Sequence, residues 1–294
     1  MIEELKTFIT VVEIKNFTKA ANQLNLSQPS VSNHIKNLES YFGVTLINRS
    51  VKQKSIFITE KGYILYKKAK EIISLLETTT LEMKNKSDSI KGSIKIGASF
   101  TIGEYILPNF LSYFIKKYPD IDIETTINNT SSICKELKDI RLDVGLVEGT
   151  CSSASFEQEY FFKDEMVLAL PYNNDIDTKT FSLNQLKNRT WIAREEGSGT
   201  REFLNMFLDI NELTPQNIII LGSNYAVKEA VRNNLGITII SKLVAMPAAK
   251  NKEISIIDLD RNYVRHFSYL LPKHITTSKA TKIFLEELKN YSKM

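Results

Sequence analysis

At 294 residues, with 43% hydrophobic and 24% charged residues, the chain has the composition of a globular protein long enough for two or three compact units. No apolar run reaches the roughly 18 residues of a membrane span, and the opening MIEELKTFITVVEIK carries acids where a secretory leader carries bases and an apolar core; a cytoplasmic location with no membrane partner is expected. The formal net charge of +4 permits a nucleic-acid partner without establishing one.

Residues 2–15 set Ile2, Leu5, Phe8, Ile9 and Val12 at helical spacing. The next stretch, FTKAANQLNLSQPSVSNHIKNLE over residues 17–39, reads as two short helices joined by a tight corner. Ala20 and Ala21 let the helices cross closely, Leu24 and Leu26 supply an apolar corner, and Thr18 and Ser27 are natural N-caps. Pro29 falls in the first turn of the second helix, where its missing N–H costs nothing. Val31, Ile35 and Leu38 form the inward face. The outward face, Gln28, Ser30, Ser32, Asn33 and Lys36, is polar without being a block of like charge, as suits a helix that reads base edges as well as phosphates. This is the pattern of a helix-turn-helix; the plainer alternative is a helix hairpin with a solvated face.

Gly43 closes the second helix, and residues 44–47 begin an extended stretch. RSVKQKSIFIT, a basic tip followed by alternating Ile56 and Ile58, reads as a β-wing. Arg49, Lys52 and Lys54 are candidate phosphate or minor-groove contacts, with solvated loop charges as the alternative. From residue 61 to about 89 the chain is charged and sets Leu65, Ala69, Ile72, Leu76, Thr79 and Met83 at alternating intervals of four and three, the seam of a coiled coil. An exposed apolar stripe needs a cover, and a second copy is the simplest one, so a homodimer is expected; packing on the chain's own following domain is the alternative.

After a hinge at Ile90, Lys91 and Gly92, strands and helices alternate, which predicts an α/β region with mostly parallel sheets. Strands are expected at residues 93–99, 121–128, 143–149, 165–171, 190–195, 217–223, 236–242, 253–260 and 266–272. Helices are expected at 102–119 and 131–141, from about 200 and 224, and at 278–291. In open parallel sheets, ligands sit beyond the carboxyl ends of strands, where helix N-termini offer free N–H groups. The residues there are Ser99, Phe100 and Thr101, then Asn129 and Thr130, then Glu148, and in the second half Gly197, Ser198, Thr200, Arg201 and Ser223. This hydroxyl- and amide-rich set suits a small polar or anionic metabolite, although Ser99 and Thr101 could equally be helix caps. Arg201 could meet an anion or pair with Glu195 or Glu196. The turn Gly197, Ser198, Gly199, Thr200 lacks the spacing and lysine of a P-loop. His34, His266 and His274 are scattered and suggest neither a triad nor a metal cluster. Cys134 and Cys151 lack metal spacing and read as free thiols, with a redox pair as the alternative.

The run Phe8, Val11, Phe17, Ala20, Ala21, Leu24, Ser27, Gln28, Pro29, Ser32, Ile35, Leu38, Glu39, Gly43, Val44, Leu46, Arg49 and Thr59 to Gly62 closely resembles the LysR-type bacterial transcriptional regulators, and the resemblance extends over the whole chain. It implies an α/β protein with an N-terminal all-α winged helix-turn-helix at residues 1–60, a long dimerisation helix and hinge at 61–90, and a two-lobed effector domain like a periplasmic binding protein at 91–294. Lobe one would take 91–163 and 268–294, lobe two 164–267, with hinges near residues 162–164 and 266–268. The resemblance further implies double-stranded promoter DNA as partner, a homotetramer built from two dimers, contact with RNA polymerase, and no cofactor beyond a small-molecule effector. It makes Ser99 and Thr101 the start of the effector cleft and puts the GSGTR stretch at its second lobe. Two departures stand in the reading helix, Asn33 for a usual arginine and His34 for a usual glutamine, and Ile47 replaces a usual phenylalanine in the wing. KIGASFTIGEYILP and LVEG are similar to the branch linked to sulfur and cysteine metabolism. The rival readings are a solute-binding module, which residues 1–62 and the absent leader disfavour, and an α/β enzyme using the glycine turn.

Overall fold

The structure, a computed structural model, describes residues 1–49, 56–84, 90–149, 151, 154–172, 176, 181–259, 263–273 and 276–292. It divides into two compact units, Met1–Asp88 and Ser89–Met294. Among the described residues no helix is long and apolar enough to cross a membrane.

In the first unit α1 (Ile2–Ile14), α2 (Phe17–Gln23) and α3 (Gln28–Phe42) enclose a core of Leu5, Phe8, Val11, Phe17, Ala20, Ala21, Val31, Ile35 and Leu38. Each fully buried large apolar side chain contributes on the order of 1.5–3 kcal/mol. Ser27 caps α3, accepting from the Ser30 N–H at 3.2 Å, and Gly43 closes it at φ 66°. The cap of α2 is Asn16, which accepts from the Lys19 N–H at 2.9 Å; Thr18 lies inside the helix. Thr18 was the expected cap, but the cap lies two residues earlier and the helix begins at Phe17, whose ring is buried in the core. The expected apolar corner is also revised. Leu24 is half-buried, but Leu26 is 38% exposed, and the corner is closed by backbone, the Leu26 N–H donating to the Ala21 carbonyl at 2.9 Å.

A short antiparallel pair follows, β1 (Ile47–Arg49) and β2 (Ile56–Ile58), with Ile47 opposite Ile58. The Glu39 carboxylate fixes its entry by accepting from the Leu46 and Ile47 N–H groups at 2.8 and 3.2 Å. The long helix α4 (Glu60–Lys84) then splits the expected seam. Leu65 and Ala69 are buried with Tyr66 in the core of this same unit, while Ile72, Leu76 and Met83 are 45%, 42% and 80% exposed. The first turns of α4 pack on α1, where Tyr66 Oη donates to Glu13 at 2.8 Å, so of the expected seam it is the later positions that stay uncovered.

The second unit is built on β3 (Gly92–Ser99), β4 (Ile121–Asn128), β5 (Val144–Glu148), β6 (Phe156–Pro171), β7 (Thr190–Arg194), β8 (Asn217–Leu221), β9 (Thr238–Ser241), β10 (Ile254–Asp258) and β11 (Val264–Pro272). The connecting helices are α5 (Leu107–Lys117), preceded by a π-helical turn at Ile102–Ile106, α6 (Thr130–Lys138), α7 (Gly199–Ile210), α8 (Asn224–Arg232), α9 (Lys242–Lys250) and α10 (Lys279–Tyr291). One sheet runs β10-β6-β11-β5-β3-β4 with β9 also on β6, and β7 pairs β8 separately.

The expectation of mostly parallel sheets is corrected. β3 pairs β4 and β5 in parallel, and β7 pairs β8 in parallel, but every pairing of β6 and β11 is antiparallel. The chain leaves one lobe on β6 and returns on β11, so the two crossing strands must run in opposite directions. β6 accordingly starts at Phe156, well before the expected residue 165, and pairs β11 over its first ten residues before turning to β9 and β10. The pairing shifts register between Phe267 and Ser268, leaving Phe161 as an extra residue at the lobe boundary. α9 is a helix the sequence reading lacked; Pro247 lies within it. Separate cores fill the two lobes, one around Ile94, Phe110, Phe114 and Phe284, the other around Trp191, Leu204, Phe207 and Ile239.

Candidate functional site

The first candidate surface is the outer face of α3. Gln28, Pro29, Asn33 and Lys36 are exposed, and Ser30 and Ser32 half-exposed. Gln28 Nε2 donates to Ser32 Oγ at 2.8 Å, and the Ser27 and Ser30 hydroxyls share a 2.7 Å bond. These groups satisfy one another along a single helix and can exchange those bonds for base edges at small cost. His34 is different. Its Nδ1 lies 2.8 Å from Thr7 Oγ1 on α1, and the Thr7 hydroxyl already donates to the Glu3 carbonyl at 2.8 Å. Since that hydroxyl has one proton, His34 must be the donor, which turns it toward α1 and away from the outer face. Asn37 Nδ2 donates to Glu4 at 2.9 Å one turn on, a second polar tie between the helices. Lys52, Lys54 and the side chain of Arg49 lie outside the described residues.

The second candidate is a buried polar network where strand ends of both lobes meet. Glu148, the last residue of β5, accepts from the Thr101 N–H at 2.9 Å, from Thr200 Oγ1 at 3.1 Å and from Arg265 Nη1 at 2.7 Å. Arg265 also donates from Nε to Asp164 at 2.7 Å and from Nη2 to Thr101 Oγ1 at 3.2 Å. Ser241 Oγ donates to Asp164 at 2.6 Å. Thr101 Oγ1 accepts in turn from Asn224 Nδ2 at 2.9 Å, and Asn224 Oδ1 accepts from Arg194 Nη1 at 2.7 Å. Arg194 grips Glu195 with two bonds of 2.8 Å, its guanidinium 4.5 Å from the Phe100 ring centroid, and Asn129 Nδ2 donates to Glu195 at 3.2 Å. Thr101, Asn129 and Glu148 belong to lobe one and Arg194, Glu195, Thr200, Asn224 and Ser241 to lobe two, so the network crosses the cleft.

Its charges are set by burial against pairing. Burial alone would raise Glu148, but the Arg265 charge and the Thr101 N–H hold it below the ordinary carboxylate range. Burial prevails at Asp164, whose carboxyl is raised despite the same Arg265. Arg265 is held charged, its two carboxylates outweighing its burial. Burial would likewise raise Glu195, but the bonds from Arg194 keep it low.

Of the residues expected from the sequence, Phe100, Thr101, Asn129, Glu148 and Thr200 are brought together here. Asn129 also caps α6, accepting from the Ser132 N–H at 2.9 Å, and Ser223 caps α8, accepting from the Ala226 N–H at 3.1 Å. Thr130 Oγ1 reaches only the Glu148 carbonyl, at 3.4 Å, and Ser198 begins α7 with no side-chain cap bond. Arg201 was expected to meet an anion or pair with Glu195 or Glu196. Glu195 is taken by Arg194, and Arg201 instead donates from Nη1 to the Arg194 carbonyl at 3.4 Å. Ser99 Oγ and Arg201 Nε are buried without a hydrogen-bond partner among the described residues. The glycine turn has a packing role: a Cβ on Gly199 would meet Glu148 at 2.8 Å, and Gly197, at φ 83°, lies against Ser131 across the cleft.

Sequence reasoning missed Arg265, Asp164 and Arg194. Arg265 and Asp164 lie inside strands and Arg194 is the last residue of one, whereas the search looked only beyond strand ends. The signal was present in the period of two: Arg265 shares a face with Phe267, and Asp164 with Met166 and Leu168, so each is a charge on a buried apolar face. A pocket of about 270 Å³ lined by Gly149, Gly199, Glu202, Arg265 and His266 opens beside the network. A larger one, about 630 Å³, lies between residues 162–165 and α9 and meets the network only at Asp164. The network marks the site better than the larger pocket, because strand ends of both lobes converge there. Cys134 and Cys151 are free, and their shared hydrogen bond pushes the Cys134 thiol up and draws the Cys151 thiol down. Among the described residues no group of three or more acids, histidines or cysteines could hold a metal ion.

Comparison with known proteins places both parts of the chain in one family. Residues 2–63 match the model for the bacterial regulatory helix-turn-helix protein, lysR family, and residues 87–293 match that for the LysR substrate binding domain. The chain is 42% identical over 288 residues to the HTH-type transcriptional regulator CysL of Bacillus subtilis, covering 97% of this chain and 96% of that protein. A full-length point variant of OxyR from Pseudomonas aeruginosa superposes with a TM-score of 0.76 at 17% identity, over 98% of this chain and 94% of that one. The CcmR regulatory domain of Synechocystis PCC6803, solved in complex with 2-PG, superposes with a TM-score of 0.64 at 23% identity, over 69% of this chain and 98% of that one.

Proposed function

The chain belongs to the LysR family of transcriptional regulators, and on that premise we propose that it reads promoter DNA with α3 and the wing as a dimer of dimers, and that a small polar or anionic metabolite in the interlobe cleft alters its grip. The observation that carries this is the outer face of α3, whose Gln28, Ser30 and Ser32 bond only within their own helix and face outward. Gln28, Ser30, Ser32 and Asn33 discriminate bases; Lys36, with Arg49, Lys52 and Lys54 of the wing, meets phosphates and sets a salt-dependent share of the affinity. Ser99, Phe100, Thr101, Asn129, Glu148, Thr200 and their neighbours receive the effector, which must favour one arrangement of the lobes to shift the DNA-bound population.

The reading needs no bond-making chemistry and no cofactor, and it places the protein in the cytoplasm with RNA polymerase as a further partner. Similarity to CysL, with the sulfur-branch character of residues 95–108, favours control of sulfur or cysteine genes and a sulfur-containing effector. A gel shift on the chain's own upstream DNA, repeated with the hits of a thermal-shift screen of sulfur metabolites, tests the whole reading; no retardation at any protein concentration contradicts it. The exposed stripe on α4 carries the dimer, so a charge at its first residue, Ile72→Glu, should give monomers in sedimentation. An undisturbed oligomer would place the interface elsewhere.

A further inference from the structure

Arg194 ends β7 with its side chain 1% exposed, and a guanidinium so far from water is tolerated only when its charge and donors are met. Its anion is the neighbouring residue. Successive side chains on a strand point to opposite faces, and Glu195 reaches its predecessor because the strand has ended and the chain turns through Gly197. The Glu195 side chain is 28% exposed, far more than the group it neutralises. It is also the outer end of the link between lobes, accepting from Asn129 at 3.2 Å, with the Ser131 N–H donating to the Gly197 carbonyl at 3.1 Å beside it. Arg201 Nε, on the side chain that reaches the Arg194 carbonyl, is buried without a hydrogen-bond partner among the described residues.

We propose that the Glu195 carboxylate is an internal stand-in for the effector's anionic group, held in the Arg194 fork and exchanged for a carboxylate or oxyanion of the ligand. The inference rests on the interlobe cleft being the effector site. The fork Nε and Nη2 and Asn129 Nδ2 are three donors that Glu195 already uses, and Arg201 Nε is a donor without a partner among the described residues. A ligand oxyanion that keeps those three bonds and adds one to Arg201 Nε has an advantage over the resident carboxylate. Exchange frees Glu195 into solvent and moves the Asn129 bond from lobe two to the ligand, so occupancy of Arg194 and the contact between lobes change together. Glu195 then acts as a competitor that sets the threshold concentration for response.

The test titrates the full-length protein with sodium sulfate and with sodium acetate against chloride at constant ionic strength, following binding by calorimetry and thermal shift. Glu195→Gln keeps the side-chain shape and removes the competing charge; it should bind one of the two anions roughly tenfold more tightly than the wild type. The anion that shows the gain tells an oxyanion of sulfur from a carboxylate. Asn129→Ala leaves the Arg194 fork intact but removes a donor that Glu195 and the ligand use in turn, and should give no gain. Equal affinities in all three proteins, or no anion binding by any of them, overturn the proposal. If a metabolite still alters DNA binding in that case, the effector reading stands and only the stand-in falls.

Discussion

The outer face of α3 and the interlobe cleft are built from the same kinds of residue, hydroxyls, amides and a few charges, yet they are organised in opposite ways. On α3 the polar groups bond to neighbours one turn away and stay open to solvent, as Gln28 does with Ser32. In the cleft they bond across lobes and are buried, as Glu148 does with Arg265 and Thr200. A surface of the first kind is ready to exchange its bonds for those of a large polar partner. The second kind is a joint, whose bonds hold two bodies in one arrangement until a competitor arrives. Perturbing each region should therefore fail differently: the cleft through stability, the helix face through recognition.

The largest effect is expected at Arg265. Arg265→Met leaves Glu148 buried without its cation and should cost about 3–5 kcal/mol of stability, read as a fall in denaturation midpoint. A loss under about 1 kcal/mol would mean that the network is more open to water than its burial indicates. The pH dependence of the same joint sharpens the comparison. Because the folded-state pKa of Glu148 is depressed, its contribution is present above the ordinary value of 4.5 and is lost as pH falls through the lowered one. The stability advantage of wild type over Glu148→Gln should accordingly be constant at neutral pH and shrink below about pH 4.5. Asp164, raised by burial, has the opposite sign, so its own contribution declines as pH rises through the ordinary value of 3.8 toward the raised one.

On α3 the effects are smaller and appear in binding. Gln28→Ala should cost about 1–3 kcal/mol at one base position and leave thermal stability unchanged. Equal losses on specific and shuffled DNA would remove Gln28 from base reading. Lys36→Ala should weaken both DNAs alike and lower the salt slope by about one.

The contrast also explains what the sequence could disclose. The reading head is one continuous stretch, so its caps, its proline and its period of inward residues can be read locally, and the misplacements at Thr18 and Leu26 are errors of a single turn. The cleft is assembled from stretches between Ser99 and Arg265. Strand ends point to Thr101, Glu148 and Thr200, but which charge meets which is decided by the register of β6 against β11, where Asp164 stands opposite Arg265. No local pattern encodes that register. The first half of β6, FEQEYFFKDE, lacks clean alternation because it crosses between two bodies, and α9 is hidden by Pro247. His34 is legible only as a departure from the family pattern in the reading helix; that Thr7 holds it depends on another helix.

The most direct test of the central claim is a fluorescence anisotropy titration of the full chain on its own upstream DNA and on a shuffled sequence of equal length, at physiological salt. A reading head organised as α3 is should bind its own site at least about 10³-fold more tightly, with that ratio falling in Gln28→Ala. Indistinguishable affinities for the two DNAs would contradict it.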